Sequence, residues 1–136
     1  MSLYEQDFYQ WTQEQAGLLK AGALSQLDVE NLIEEVESMG KSQKKELLSR
    51  LTILLMHLLK WDYQPEFQSR SWKSTIVTQR KEIRNLLEDN PSLRRIIQEK
   101  ADILYRDAVE IASAETGLSE SSFPETCHYS IEQIMG

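Results

Sequence analysis

The stretch LLSRLTILLMHLLKWDYQP, residues 47–65, decides how this chain folds, because its leucines recur at three- and four-residue steps. They cover more than half of a helical wheel, which is the pattern of a helix enclosed by other elements. Pro65 cannot continue a helix, so this one runs from about Ser42 to Tyr63. The sequence therefore predicts a central, buried helix around which the remaining segments pack.

Two amphipathic segments precede the central helix. The first covers residues 5–20 and can end at Gly22. The second begins with Ser25 or Asp28 as its N-cap, and Gly40 offers a stop or a kink. Its other face is acidic, and its apolar face, which a bundle helix turns inward, holds Val29, Leu32, Ile33, Val36 and Met39.

Three further helices follow the central one. The first starts near Ser71, after a connector that contains Pro65. Asn90 can cap the next helix, with Pro91 at its first position, and this helix runs towards Gly117. A short terminal helix begins after a loop and is capped by Ser130.

Composition agrees with a mostly helical chain. Only five glycines and three prolines occur in 136 residues, and 40% of the residues are apolar, enough for one core. Cys127 is the single cysteine and has no internal disulfide partner. We therefore predict an all-α fold, a single domain over residues 1–136, built as a bundle of about five main helices, mostly antiparallel, with a short C-terminal helix.

The opening MSLYEQDFYQW lacks the positive start and apolar run of a secretory signal. No apolar run reaches the roughly eighteen residues that a membrane span needs. We expect a cytoplasmic protein that does not bind membranes.

Charge is unevenly distributed along the chain. Residues 1–40 hold eight acidic side chains and one lysine, whereas residues 41–100 hold thirteen bases and seven acids, and residues 101–136 hold seven acids and one arginine. The basic centre either pairs with the acidic ends inside the fold or forms a nucleic-acid surface. Overall acidity repels phosphate backbones, which favours the internal pairing.

The most basic segment is residues 69–85, the helix that starts near Ser71. Nucleic acid could be held there by arginines on phosphates and by Trp72 stacking on a base. The competing interpretation places Trp72 in the core and leaves the bases as a solvated or ion-paired face. The bases concerned are Arg70, Lys73, Arg80, Lys81 and Arg84.

His57 lies in the only polar sector of the central helix, beside Lys60. If the preceding acidic helix packs antiparallel to it, His57 bonds a carboxylate or carbonyl at the rim of the core. The alternative is an enzyme in which His57 and Glu34 or Glu35 act as acid and base. The Glu-x-x-His pair of a carboxylate-bridged metal centre is absent, because Leu54 occupies the glutamate position.

Other signs of chemistry are weak. Cys127 and His128 are adjacent, and adjacent residues rarely face each other, so a thiol–imidazole pair is not expected. Neither a glycine-rich phosphate loop nor a G-x-S-x-G motif is present. We predict no metal site and no cofactor.

Aromatic residues are concentrated in the first helix. Trp and Tyr are frequent at interface hot spots, so the exposed part of this helix is a candidate docking surface. The alternative is that these aromatics pack on the bundle. The residues are Tyr4, Phe8, Tyr9 and Trp11.

Several segments, in order, resemble the bacterial family called domain of unknown function twenty-nine. They are YEQDFYQWTQEQAGLLKAG, LDVENLIEEVESMG, LLMHLLKWDYQPE, SWKSTIVTQRKEIRNLLEDNPSL and AVEIASAETGLSESSFPETCHYSIEQIM. The resemblance covers nearly the whole chain. It implies a small all-helical bundle from a bacterium, and it brings no assigned activity.

The polar residues among the family-like positions could converge on one buried or half-buried network, where we would expect a site. They are Glu34, Glu35, His57, Lys60, Gln64, Gln79 and Arg80. Our leading hypothesis is a cytoplasmic bundle that acts through protein binding, either to itself as a homo-oligomer or to another protein.

Overall fold

The computed structural model describes residues 1–136, which form helices and short connections without any strand. The all-α class predicted from the sequence is confirmed. No helix combines the length and the apolar character needed to cross a membrane. The helices are α1 (Leu3–Gln6), α2 (Phe8–Lys20), α3 (Val29–Tyr63), α4 (Arg70–Asp89), α5 (Arg94–Thr116) and α6 (Ile131–Met135).

Local capping interactions fix several helix ends. The Asp7 side chain accepts a hydrogen bond from the backbone of Gln10, which starts α2 and separates it from α1. Gly117 ends α5 in the left-handed region, with φ of 78°. Ser130 and Gln133 form the reciprocal hydrogen bonds of a capping box at the start of α6.

Gly40 does not end the helix that contains it. The segments expected as two helices, on either side of this glycine, form the single 35-residue helix α3. One glycine inside a helix costs only about 1 kcal/mol, and the strong helix formers Met39 and Lys41 flank it. Four main helices result where five were expected. Antiparallel packing between the acidic segment and the histidine-bearing segment is excluded because both belong to α3.

The chain divides into two compact units. The N-terminal unit comprises Met1–Ser42 and the C-terminal unit comprises Gln43–Gly136. Most buried apolar side chains belong to the C-terminal unit, where the second half of α3 contributes the largest share, as predicted. The residues of α3 in this core are Leu47, Leu51, Leu54, Leu55, Met56, Leu58 and Leu59.

A single aromatic residue anchors the N-terminal unit. Trp11 is 4% exposed and its ring lies 4.8 Å from that of Tyr4 and 5.6 Å from that of Phe8. Its Nε1–H donates to Asp28 Oδ2 at 2.9 Å, and Gln15 Oε1 accepts from the Asp28 backbone at 2.8 Å. These bonds attach α2 to the segment that leads into α3.

Candidate functional site

No side-chain hydrogen bond joins two of the predicted polar residues, and five of the seven bond to partners outside their own set. In the N-terminal unit, Glu35 accepts a hydrogen bond from the Tyr4 hydroxyl. This bond to a carboxylate raises the pKa of Tyr4 to about 12, so the tyrosine stays protonated as the donor. Glu34 is exposed and makes no ion pair.

His57 is half-buried, and its Nδ1 lies 2.9 Å from the carbonyl oxygen of Ile53, one turn back on α3. Since a carbonyl can only accept, Nδ1 carries the proton and Nε2 is the free acceptor. Burial lowers the pKa of His57, which favours the neutral ring. The histidine thus bonds a backbone carbonyl, and no carboxylate forms a hydrogen bond with it.

Lys60 is the only buried charged residue, with 7% of its surface exposed. Its Nζ lies 2.8 Å from Glu115 Oε2 and 4.7 Å from the ring centre of Trp72. The ammonium group is therefore held between a carboxylate and an aromatic face, which attract it by ion pairing and by the cation–π effect. This cluster joins α3, α4 and α5.

The two partners of this ion pair are expected to respond differently to removal. Glu115→Ala leaves the buried ammonium with only the Trp72 ring and lowers the free energy of unfolding by about 1–2 kcal/mol, less than a fully buried pair because the Glu115 side chain is 46% exposed. Lys60→Met leaves a carboxylate that water can hydrate and packs a thioether on Trp72, so it changes stability by less than about 1 kcal/mol. Urea denaturation of both variants measures the difference; a larger loss in Lys60→Met would contradict the assignment.

The side chains of the two glutamines in the predicted network make no hydrogen bond to this cluster. Gln79 Oε1 accepts from Arg50 Nη1 at 3.2 Å, across α3 and α4. Gln64 is half-buried at the end of α3, just before the 3₁₀ turn that begins at Pro65. Both residues link or terminate helices.

Two arginines of the basic segment hold the last helix. Arg80 donates from Nε to the carbonyl of Ile134 at 2.9 Å and from Nη2 to that of Gln133 at 2.8 Å. Arg84 donates to the carbonyl of Met135 at 3.2 Å. These carbonyls are the orphan acceptors of the last turn of α6, so the bonds dock its C-terminal end on α4.

The other bases of this segment, Arg70, Lys73 and Lys81, are exposed and make no ion pair. They follow one another at three- and eight-residue steps and therefore share one face of α4. Trp72, also on α4, is half-buried, and the ammonium group of Lys60 on α3 lies over its ring.

The thiol of Cys127 shows no sign of activation. Its Sγ donates to the carbonyl of Tyr129 at 3.7 Å, and burial raises its pKa. The ring of the adjacent His128 packs on Tyr129, with centroids 4.1 Å apart. No three His, Cys, Asp or Glu side chains come together in an arrangement that could hold a metal ion.

The aromatic residues expected as a docking surface divide into two groups. Trp11 is buried and Tyr4 is half-buried, so both belong to the small core of the N-terminal unit. Phe8 is 49% exposed and Tyr9 is 71% exposed. The two exposed members, Phe8 and Tyr9, lie in the first turn of α2.

A feature that the sequence pattern did not reveal is an exposed apolar stripe at the start of α3. Val29, Ile33 and Val36 are 54%, 53% and 61% exposed, although their spacing is that of a core-facing helix. We expected this face in the core. The stripe borders an open groove of about 470 Å³, the apolar groove, whose lining residues are Leu27, Val29, Leu32, Ile33, Val36 and Glu37.

An acidic edge runs beside the apolar groove. Glu30, Glu34 and Glu37 each follow a residue of the stripe directly, which places them about 100° further round the helix. All three are exposed and none makes an ion pair. The arrangement can therefore bury apolar side chains and attract positive charge at once.

Comparison with known proteins identifies a family. The sequence matches the one described as Domain of unknown function DUF29 over residues 3–136. No curated protein and no solved structure matches the chain.

Proposed function

The chain belongs to this family, Domain of unknown function DUF29, and we propose that it is a docking protein whose apolar groove binds a cationic amphipathic helix of a partner protein. The exposure of Val29, Ile33 and Val36 carries the proposal, since each is more than half exposed within one stripe. Contiguous exposed apolar surface with a polar rim is typical of interaction sites.

The spacing of the stripe suits a helical partner. Val29, Ile33 and Val36 lie at i, i+4 and i+7, the spacing by which amphipathic helices present anchors to one another. The apolar groove is an open surface formed by Leu27 and one side of α3, and the aliphatic side chains of a partner can pack along it. A helix with its own apolar stripe would cover the groove along its length.

Charge selects the partner. The N-terminal residues 1–40 carry eight acidic side chains and one lysine, and the acidic edge is free of ion pairs. A second copy of this chain, docked through the same face, would set two acidic edges together. A second copy could instead present the exposed basic face of its α4 to the acidic edge. Val77 is the only large apolar side chain exposed on that face, so the apolar groove would remain unfilled. The partner is therefore a different protein with basic residues flanking its apolar stripe.

Binding of a model peptide tests the proposal. The probe is a designed helix of roughly 18 leucines and lysines, about five turns; a scramble of the same composition and a leucine–glutamate helix of the same pattern are the control peptides. We expect saturable binding of the cationic helix, measured by fluorescence anisotropy, that weakens as salt rises. Equal binding of the scramble would contradict the proposal.

Variants locate the binding. The double variant Ile33→Gln, Val36→Gln removes about half of the apolar contact that these two side chains make with the partner helix. It is expected to weaken binding roughly 10- to 30-fold. Glutamine favours helices more than isoleucine or valine does, so the fold is retained. The matched control is Ile103→Gln on α5, where the isoleucine is 49% exposed, and it leaves affinity unchanged. A wild-type dimer in sedimentation that the double variant dissociates would instead assign the groove to a second copy.

A further inference from the structure

A second cleft lies in the C-terminal unit, where α3 ends beside α4 and the segment that enters α6. Its volume is about 380 Å³, within the range of small-molecule sites. One wall is apolar and consists of Leu58, Trp61, Ile76 and Val77. Polar side chains form the rest of the lining. A combination of an apolar wall with a few polar groups is typical of ligand pockets.

Two cations face this cleft. Arg80 is fixed by its hydrogen bonds to the carbonyls of Gln133 and Ile134, and it makes no ion pair with a carboxylate. A guanidinium has five N–H donors, so Arg80 retains donors after these two bonds. Lys73 is exposed and makes no ion pair. The cleft therefore offers two cationic donors, Arg80, which hydrogen bonds hold in place, and the exposed Lys73.

One carboxylate also lines the cleft. Asp62 Oδ2 accepts a hydrogen bond of 2.6 Å from the Tyr129 hydroxyl. Burial, together with this carboxylate, raises the pKa of Tyr129, so the hydroxyl remains a donor to Asp62. The lining thus carries two positive charges and one negative charge, which leaves one positive charge to be neutralised by a ligand.

We propose that this cleft binds a small organic monoanion, with its carboxylate on Lys73 and Arg80 and its flat apolar body against Trp61 and Ile76. The cations supply charge-assisted hydrogen bonds, and the apolar wall supplies contact that an inorganic ion cannot use. The site is separate from the apolar groove and does not depend on helix docking.

Benzoate is the probe, because it joins a carboxylate to a flat apolar ring. Nuclear magnetic resonance of the indole N–H groups reports the site, since the three tryptophans lie in different surroundings: Trp11 in the N-terminal unit, Trp72 against Lys60, and Trp61 in the cleft. We expect the Trp61 signal alone to shift, saturably, with a Kd below about 10 mM. Benzamide, the neutral isostere, binds at least about fivefold more weakly.

A comparison of Lys73→Gln with Lys81→Gln distinguishes binding in the cleft from a general effect of positive charge on α4. Both lysines are exposed on α4, and only Lys73 lines the cleft, so both variants keep the fold. Lys73→Gln is expected to raise the Kd of benzoate about threefold or more, and Lys81→Gln to leave it unchanged. The proposal is overturned if no saturable shift occurs, if all three indoles shift alike, if benzamide binds as well as benzoate, or if the two variants behave alike.

Discussion

Replacing Ile83 by alanine is expected to lower the free energy of unfolding of the C-terminal unit by about 2–5 kcal/mol. Ile83 lies on α4, is fully buried, and belongs to the core that surrounds the second half of α3. Alanine removes the burial of the deleted carbons and leaves a cavity that close-packed neighbours fill only in part. Urea denaturation followed by far-ultraviolet circular dichroism measures the change.

The matched control for this substitution is Ile103→Ala on α5. The same atoms are deleted, again from a helix of the C-terminal unit, but Ile103 is 49% exposed. Its removal is expected to cost less than about 1 kcal/mol, because little burial is lost and alanine favours the helix. Equal losses in both variants would mean that Ile83 does not occupy a closed core.

Trp11→Ala is expected to unfold the N-terminal unit locally. The substitution removes the packing on Tyr4 and Phe8 and the hydrogen bond to Asp28, and burial losses of this size cost about 3–5 kcal/mol. Trp11 and Gln15 are the only buried residues of this unit, so no other buried side chain can compensate for the loss of Trp11. Hydrogen exchange is the measurement: amides of Phe8–Lys20 lose protection, whereas those of α4 and α5 keep theirs.

Tyr9→Ala is the control for the tryptophan substitution. Tyr9 is also an aromatic of α2, but it is 71% exposed, so its removal leaves the protection of α2 intact. Trp11→Phe retains part of the packing but loses the donor to Asp28, and an intermediate loss of protection is expected. If Trp11→Ala left exchange in α2 unchanged, Trp11 would not be the anchor of this unit.

Sequence patterns predicted some helix ends that depend on neighbours in the chain, but not the start of α5, which begins at Arg94 after a 3₁₀ turn over Pro91–Leu93. Gly117 ends α5 and the Ser130 capping box starts α6, because a left-handed C-cap and a reciprocal cap need only a few adjacent residues. Gly40 could end a helix or lie inside one, because a glycine inside a helix costs only about 1 kcal/mol. The continuous α3 is the resulting difference.

The candidate site was less predictable. The polar residues expected to form one network instead bond separately, Glu35 to Tyr4, His57 to Ile53 and Lys60 to Glu115. Glu115 is distant in sequence from Lys60, and spacing on one helix cannot identify a partner on another. The sequence predicted only that Lys60 lies in the polar sector of its helix.

The sequence by itself determined the all-α class, the buried half of α3 and the acidic character of the first forty residues, because periodicity and charge are properties of neighbouring residues. The tertiary structure alone decided that Val29, Ile33 and Val36 lie exposed, although their spacing is the same as that of the buried Leu47, Leu51 and Leu54. Both sets have the spacing of a core face. Whether such a face is covered depends on which other helices pack against it, and that is settled by contacts between residues far apart in the chain.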